Sequence, residues 1–106
     1  MTNVSVVFST IDSSQQAQKI SHSLVEEKIA ACVNILPAVT SVYRWQNQIQ
    51  NDSELLLIIK TETDKLQKLI DRLEELHPYK VPEILSFRIE AGSNPYLNWV
   101  RDQVSE

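Results

Sequence analysis

The apolar positions of this chain fall into blocks of two different periods, and each period predicts an element. Residues 4–9 are a short, β-branched run around Phe8 and predict a strand. Ser13-x-x-Gln16 follows as a capping box, and Ala17, Ile20 and Leu24 recur at helical spacing, so a helix is expected to close near Ile29. Over residues 31–45 the period becomes two: Val33, Ile35, Val39 and Tyr43 interleave with Cys32, Asn34 and Arg44, and Pro37 marks an edge or a bulge. Residues 46–53 are polar, with Asn47, Asn51 and Asp52 as turn formers around Ile49, and lead into the apolar run 55–59. The two runs read as a long hairpin whose second strand is buried on both faces.

Asp64-x-x-Gln67 supplies a second cap, and Leu66, Leu69, Ile70, Leu73 and Leu76 make an amphipathic stripe ending at His77-Pro78. Leu85, Phe87 and Ile89 alternate with Ser86 and Arg88 as a half-buried strand, and Asn94-Pro95 opens a terminal helix. The order β-α-β-β-α-β plus a C-terminal helix is the split βαβ, ferredoxin-like pattern of the α+β class. Right-handed crossovers place the first and third strands centrally, which agrees with their dense apolar content.

Residues 31–45, fully extended, would span about 50 Å at about 3.3 Å per residue, whereas a globule of this length is about 33 Å across. The hairpin tip therefore overhangs its own domain and carries Tyr43, Trp45 and Ile49 with it. A second copy of the chain pairing at the strand edge is the economical partner; a hairpin folded back onto its own core is the alternative.

Composition narrows the classes. The 106 residues, with 42% hydrophobic content and a net charge of −4, fit a single soluble domain over residues 1–106. The acidic balance speaks against a nucleic-acid partner. The longest apolar run, residues 55–59, is far short of the roughly 20 residues a membrane span requires, so no membrane partner and a cytoplasmic location are expected. Cys32 is the only cysteine and cannot close an intrachain disulfide, in keeping with a reducing compartment. A lone glycine, Gly92, leaves no glycine-rich phosphate loop and hence no organic nucleotide cofactor of that kind.

Ala30-Ala31-Cys32-Val33-Asn34-Ile35, Ser41-x-Tyr43-x-Trp45, Glu54 leading into Ile59-Lys60-Thr61, His77-Pro78-Tyr79-x-x-Pro82-Glu83-Ile84 and Tyr96-Leu97-x-Trp99, in this order, resemble the CutA divalent-cation tolerance family. The resemblance covers nearly the whole chain. It implies a cytoplasmic, PII-like homotrimer with the ferredoxin-like fold, linked to tolerance of copper and other divalent metals. It also implies metal binding through His77, and a cleft between subunits, near Glu54, Lys60, Tyr79 and Glu83, that accepts a small-molecule effector. Ser9 and Arg72 stand where some relatives carry additional cysteines, a departure that weakens a copper site.

The residues themselves allow two readings at each candidate. Thiolate and imidazole favour copper or zinc, which singles out Cys32 and His77 as possible metal ligands; Cys32 is equally a small buried strand residue, and His77 a partner for the negative end of a helix dipole. Glu54, Lys60 and Glu83 mark a ligand cleft or only strand ends pairing at the surface. Tyr96 and Trp99 dock the terminal helix. His77 with Glu83 is too common a pairing to indicate an enzyme, and no nucleophile elbow is present, so a binding protein is expected.

Overall fold

The computed structural model describes all residues, 1–106. The elements are β1 (Val4–Ile11), α1 (Ser14–Glu26), β2 (Cys32–Trp45), β3 (Gln48–Glu62), α2 (Leu66–Leu76), β4 (Leu85–Arg88) and α3 (Asn94–Val104), with a short 3-10 turn at Thr63–Lys65. The sheet order is β2-β3-β1-β4, antiparallel throughout, with β1 and β3 central as the crossover rule requires.

Strand register divides the sheet into two faces. Val7 pairs with Ile59, Ser9 with Leu57 and Ile11 with Leu55, and this face packs under α1 and α2 through Ala17, Ile20, Leu24, Leu69 and Leu73. The other face carries Val6, Phe8, Leu56, Ile58, Leu85 and Phe87 in the alternate positions. There α3 seals only one end, where Val100 and Val104 close over Val4 and Ala31. Leu56 and Ile58 are consequently half-buried rather than buried on both faces, and Leu85 and Phe87 stand 58% and 45% exposed.

The helix signals hold at one start and shift at the other. Ser13 Oγ accepts the Gln16 amide at 3.2 Å, as the capping box predicts. Asp64 caps nothing: the chain tightens through the 3-10 turn, and α2 begins after Lys65 with no side-chain cap. Helix α1 ends at Glu26, earlier than expected, in a Schellman motif: the Ile29 amide bonds to Leu24 O and the Lys28 amide to Val25 O, with Lys28 at φ 58°. A lysine holding a left-handed angle costs about 1–2 kcal/mol relative to its helical one. Lys28→Gly is accordingly expected to raise unfolding stability by about 1 kcal/mol, read as a higher denaturation midpoint with unchanged slope.

The hairpin departs most from expectation. Residues 46–53 are not a loop: only Gln46 and Asn47 turn, at φ 50° and 65°, and β3 starts at Gln48. Positive angles at both central residues make this the tight turn whose twist matches the strands it joins. The register slips between Leu36 and Val39, so Pro37 and Ala38 form the bulge that proline requires. The extents, 44 × 26 × 23 Å, and the 6754 Å² of accessible surface, against about 6,000 Å² for a sphere-like chain of this mass, register the overhang. Val42, Trp45 and Ile49 are 57–63% exposed along it. No helix is long and apolar enough to cross a membrane.

Candidate functional site

The site is built where the hairpin leaves the body and the loop after α2 returns to the sheet. His77, the residue after α2, is 6% exposed. Its Nδ1 accepts the Tyr79 amide at 3.1 Å and its Nε2 lies 2.8 Å from Thr10 O. A carbonyl can only accept, so Nε2 carries the proton and Nδ1 the lone pair: the ring is a neutral imidazole with both nitrogens engaged. In this arrangement both ring nitrogens are engaged by backbone groups, and the ring pins the loop to β1.

This anchor sets the position of Tyr79. Its ring lies edge-on to the imidazole at a centroid distance of 4.6 Å, and its hydroxyl donates to Glu54 Oε2 at 2.7 Å. Burial first, then the hydrogen bond to Glu54 and the charges of Glu54, Asp12 and Asp52, raise the Tyr79 phenol well above its ordinary pKa. Across the hairpin, Tyr43 donates its hydroxyl to Asp52, and that bond is the main cause of its own raised pKa. The phenols therefore remain neutral donors within a field set by carboxylates.

These groups line one groove of about 820 Å³, together with Ser41, Val42, Trp45, Lys80, Val81 and Glu83. Four carboxylates, Asp12, Asp52, Glu54 and Glu83, face it against the single cation Lys80. Glu54 is the buried member, at 9% exposure, and enters none of the chain's ion pairs.

Three of the four cleft residues expected from the sequence, Glu54, Tyr79 and Glu83, thus converge, and Lys60 does not. It lies six residues from Glu54 along β3, about 20 Å at strand spacing. Its ammonium instead donates to Asn34 Oδ1 at 2.6 Å, stands 4.0 Å from Cys32 Sγ and sits 5.8 Å from the Tyr96 ring centroid. Cys32 is half-buried, more open than a core strand residue. Cys32 pairs with Lys60 whereas Thr10, the residue His77 grips, pairs with Leu56, so the thiol and the imidazole are separated by about 13 Å along the strands and by two strand spacings across them. They cannot share an ion within one chain, and no group of three or more His, Cys, Asp or Glu side chains is placed to hold a metal. Ser9 Oγ is buried without a partner, and Arg72 is committed to Glu27 through two bonds of 2.9 and 3.0 Å.

Asp12, Asp52, Tyr43 and Trp45 belong to the groove although sequence reasoning did not place them there. The signal for Asp52 was available in the register: with the turn set at residues 46–47, it pairs with Ser41.

Comparison with known proteins covers the same stretch of chain. Residues 5–103 match the family described as CutA1 divalent ion tolerance protein. The divalent-cation tolerance protein CutA of Thermus thermophilus is 50% identical over 97 residues, 92% of this chain and 94% of that protein. Protein CutA of Homo sapiens is 42% identical over 104 residues, 98% of this chain, which spans only 58% of the human protein. Among solved structures, the CutA of Archaeoglobus fulgidus, described as a periplasmic divalent cation tolerance protein, superposes with a TM-score of 0.92 at 32% identity, covering 96% of this chain and 99% of that one. Identity of this extent, joined to the long hairpin, the β2-β3-β1-β4 sheet and the His77–Tyr79 loop, places the chain in the CutA1 divalent ion tolerance family.

Proposed function

We propose that the protein acts in tolerance of divalent, copper-type cations as a cytoplasmic homotrimer, and that the carboxylate groove is where it meets them. The observation that carries this reading is the set Asp12, Asp52, Glu54 and Glu83 facing one cavity opposite a single lysine. Carboxylate oxygens attract divalent ions by charge and discriminate weakly among them, which suits a family described by tolerance of divalent ions as a class. One chain supplies no closed coordination set, so firm binding requires donors from a neighbouring copy. The role is binding rather than catalysis.

Two surfaces support the assembly. The exposed Val42, Trp45 and Ile49 on the hairpin and the open sheet face around Phe87 and Leu85 are apolar areas that a neighbouring copy would cover. The lone cysteine supports the cytoplasm over an oxidising compartment.

Calorimetric titration with copper(II) and zinc(II), with the mass of the same sample fixed by light scattering, tests the reading. Saturation at a fixed ratio per trimer is expected. Heat that never saturates, or a monomeric mass, contradicts it.

A second reading, a PII-like signalling or scaffold trimer with a small-molecule effector, is favoured by the groove itself. Its size lies within the roughly 300–1,000 Å³ of small-molecule sites, and its walls mix apolar and polar groups.

A further inference from the structure

Val33, Ile35, Val39, Tyr43 and Trp45 all occupy odd-numbered positions, so a regular strand would set them in one row on one face of the sheet. The register divides them. Val33 pairs with Ile59 and Ile35 with Leu57, on the face that packs under α1 and α2. Val39 pairs with Glu54, Tyr43 with Gln50 and Trp45 with Gln48, in the same alternation as Leu56 and Ile58 on the open face. The change of side occurs at the bulge, where β2 advances from Leu36 to Val39 while β3 advances only from Leu56 to Glu54, one residue fewer.

The bulge is held by its own residues. Pro37 has no N–H to give to the ladder, and Ala38 stands at φ 62°, a left-handed angle that costs an alanine strain. What that strain achieves follows from what lies over each face. The core under the helices takes in Val33 and Ile35 and no later residue of β2. Carried straight on, Tyr43 and Trp45 would stand on the helix side beyond that core. Turned over, they extend the open face, where their own chain still leaves them 42% and 57% exposed.

The occupant that fits this face is a second copy of the chain. A ring closed about a three-fold axis joins unlike patches on successive copies. This chain offers both: an arm that draws the molecule out to 44 Å against 26 and 23 Å, and a bare body face around Phe87 and Leu85. We propose that the Pro37–Ala38 bulge selects the face used in assembly: it turns the outer half of β2 over, so that Val39, Tyr43 and Trp45 share one apolar surface with Leu56, Ile58 and Phe87, which neighbouring copies bury. This rests on the homotrimer reading and adds to it the element that decides which side of the arm meets a neighbour.

Two changes of length, compared with the native chain by light scattering at one protein concentration, test the role of the bulge, with circular dichroism reporting the fold. Deleting Ala38 removes the bulge yet leaves Val39 opposite Glu54, so the faces are kept and the three-chain mass of about 37 kDa is expected to persist. Inserting one alanine between Glu54 and Leu55 gives Ala38 a partner and turns everything beyond it to the other side. The single-chain mass of 12.2 kDa is then expected, with the fold retained. Two substitutions test the face without altering the register, and decide the matter if the insertion fails to fold. Tyr43→Lys, on the open side, is expected to separate the copies, and Thr40→Lys, on the helix side, to leave the mass unchanged. A folded insertion variant that keeps three chains, or Thr40→Lys dissociating as readily as Tyr43→Lys, overturns this inference alone. Dissociation on deleting Ala38 overturns it too, since the kink and not the face would then be the determinant. A native mass of 12.2 kDa leaves the face to some other protein and overturns the homotrimer reading as well.

Discussion

Substituting His77 by alanine is expected to lower the unfolding free energy by about 2–4 kcal/mol while removing no metal ligand. The ring is 6% exposed and holds two backbone groups at once, the Thr10 carbonyl and the Tyr79 amide. Alanine leaves both without a partner, and each unsatisfied buried group costs about 1–3 kcal/mol. The edge contact with the Tyr79 ring disappears as well, typically about 0.5–1.5 kcal/mol. Urea unfolding should show a lower midpoint at unchanged slope. Because the ring orients Tyr79 toward Glu54, cation affinity in the groove should weaken only modestly, through a looser loop. Unchanged stability together with abolished metal binding would restore His77 as a ligand and reverse this assignment.

Placing a carboxylate on the open sheet face should dissociate the assembly. Phe87 lies on the edge strand β4, 45% exposed, with its ring edge-on to Phe8 at 5.0 Å. A neighbouring copy that covers this face desolvates whatever stands at position 87, and an unpaired buried charge costs several kcal/mol. In the separate chain the same aspartate faces water at little cost. Phe87→Asp is therefore expected to bring the mass from about 37 kDa, three chains, to the single-chain 12.2 kDa with the circular dichroism of the fold retained. A mass unmoved by the substitution would place the contacts between copies elsewhere, the hairpin tip being the remaining apolar surface.

Most of the fold is legible in the chain because its signals are local. The stripe from Leu66 to Leu76 defines α2, Ser13 starts α1, and the crossover rule orders the sheet. Where the reading slipped, two local signals competed. Asn51 and Asp52 are turn residues by propensity, but the tight turn at Gln46-Asn47 carries the hairpin, and both become strand residues opposite Val42 and Ser41. That slip concealed half of the groove, since Asp52 joins it only once paired. The unequal cover of the two sheet faces was equally hidden, because alternation in residues 55–59 is masked by apolar side chains on both sides and only the placement of α3 distinguishes them.

The candidate site was legible in part for a related reason. The proline-bounded segment around Tyr79 and Glu83 carries part of the family resemblance, and Glu54 reads equally as a cleft residue or as a strand-end charge. Whether a titratable side chain is spent on folding depends on backbone groups far away in sequence: the carbonyl that occupies His77 belongs to Thr10, 67 residues earlier. Distance along β3 likewise removes Lys60 from the site, a separation that residue type does not reveal.

The most direct test of the central claim, that the carboxylate groove is the cation site, is a zinc(II) titration of the protein beside its Glu54→Gln/Glu83→Gln double variant, both shown by light scattering to have the same mass. Saturable binding is expected in the native protein, with at least a tenfold weaker response in the variant. Equal affinity and stoichiometry in the two proteins would contradict it and direct the search for the ion to the other end of the sheet, at Cys32 and its neighbours.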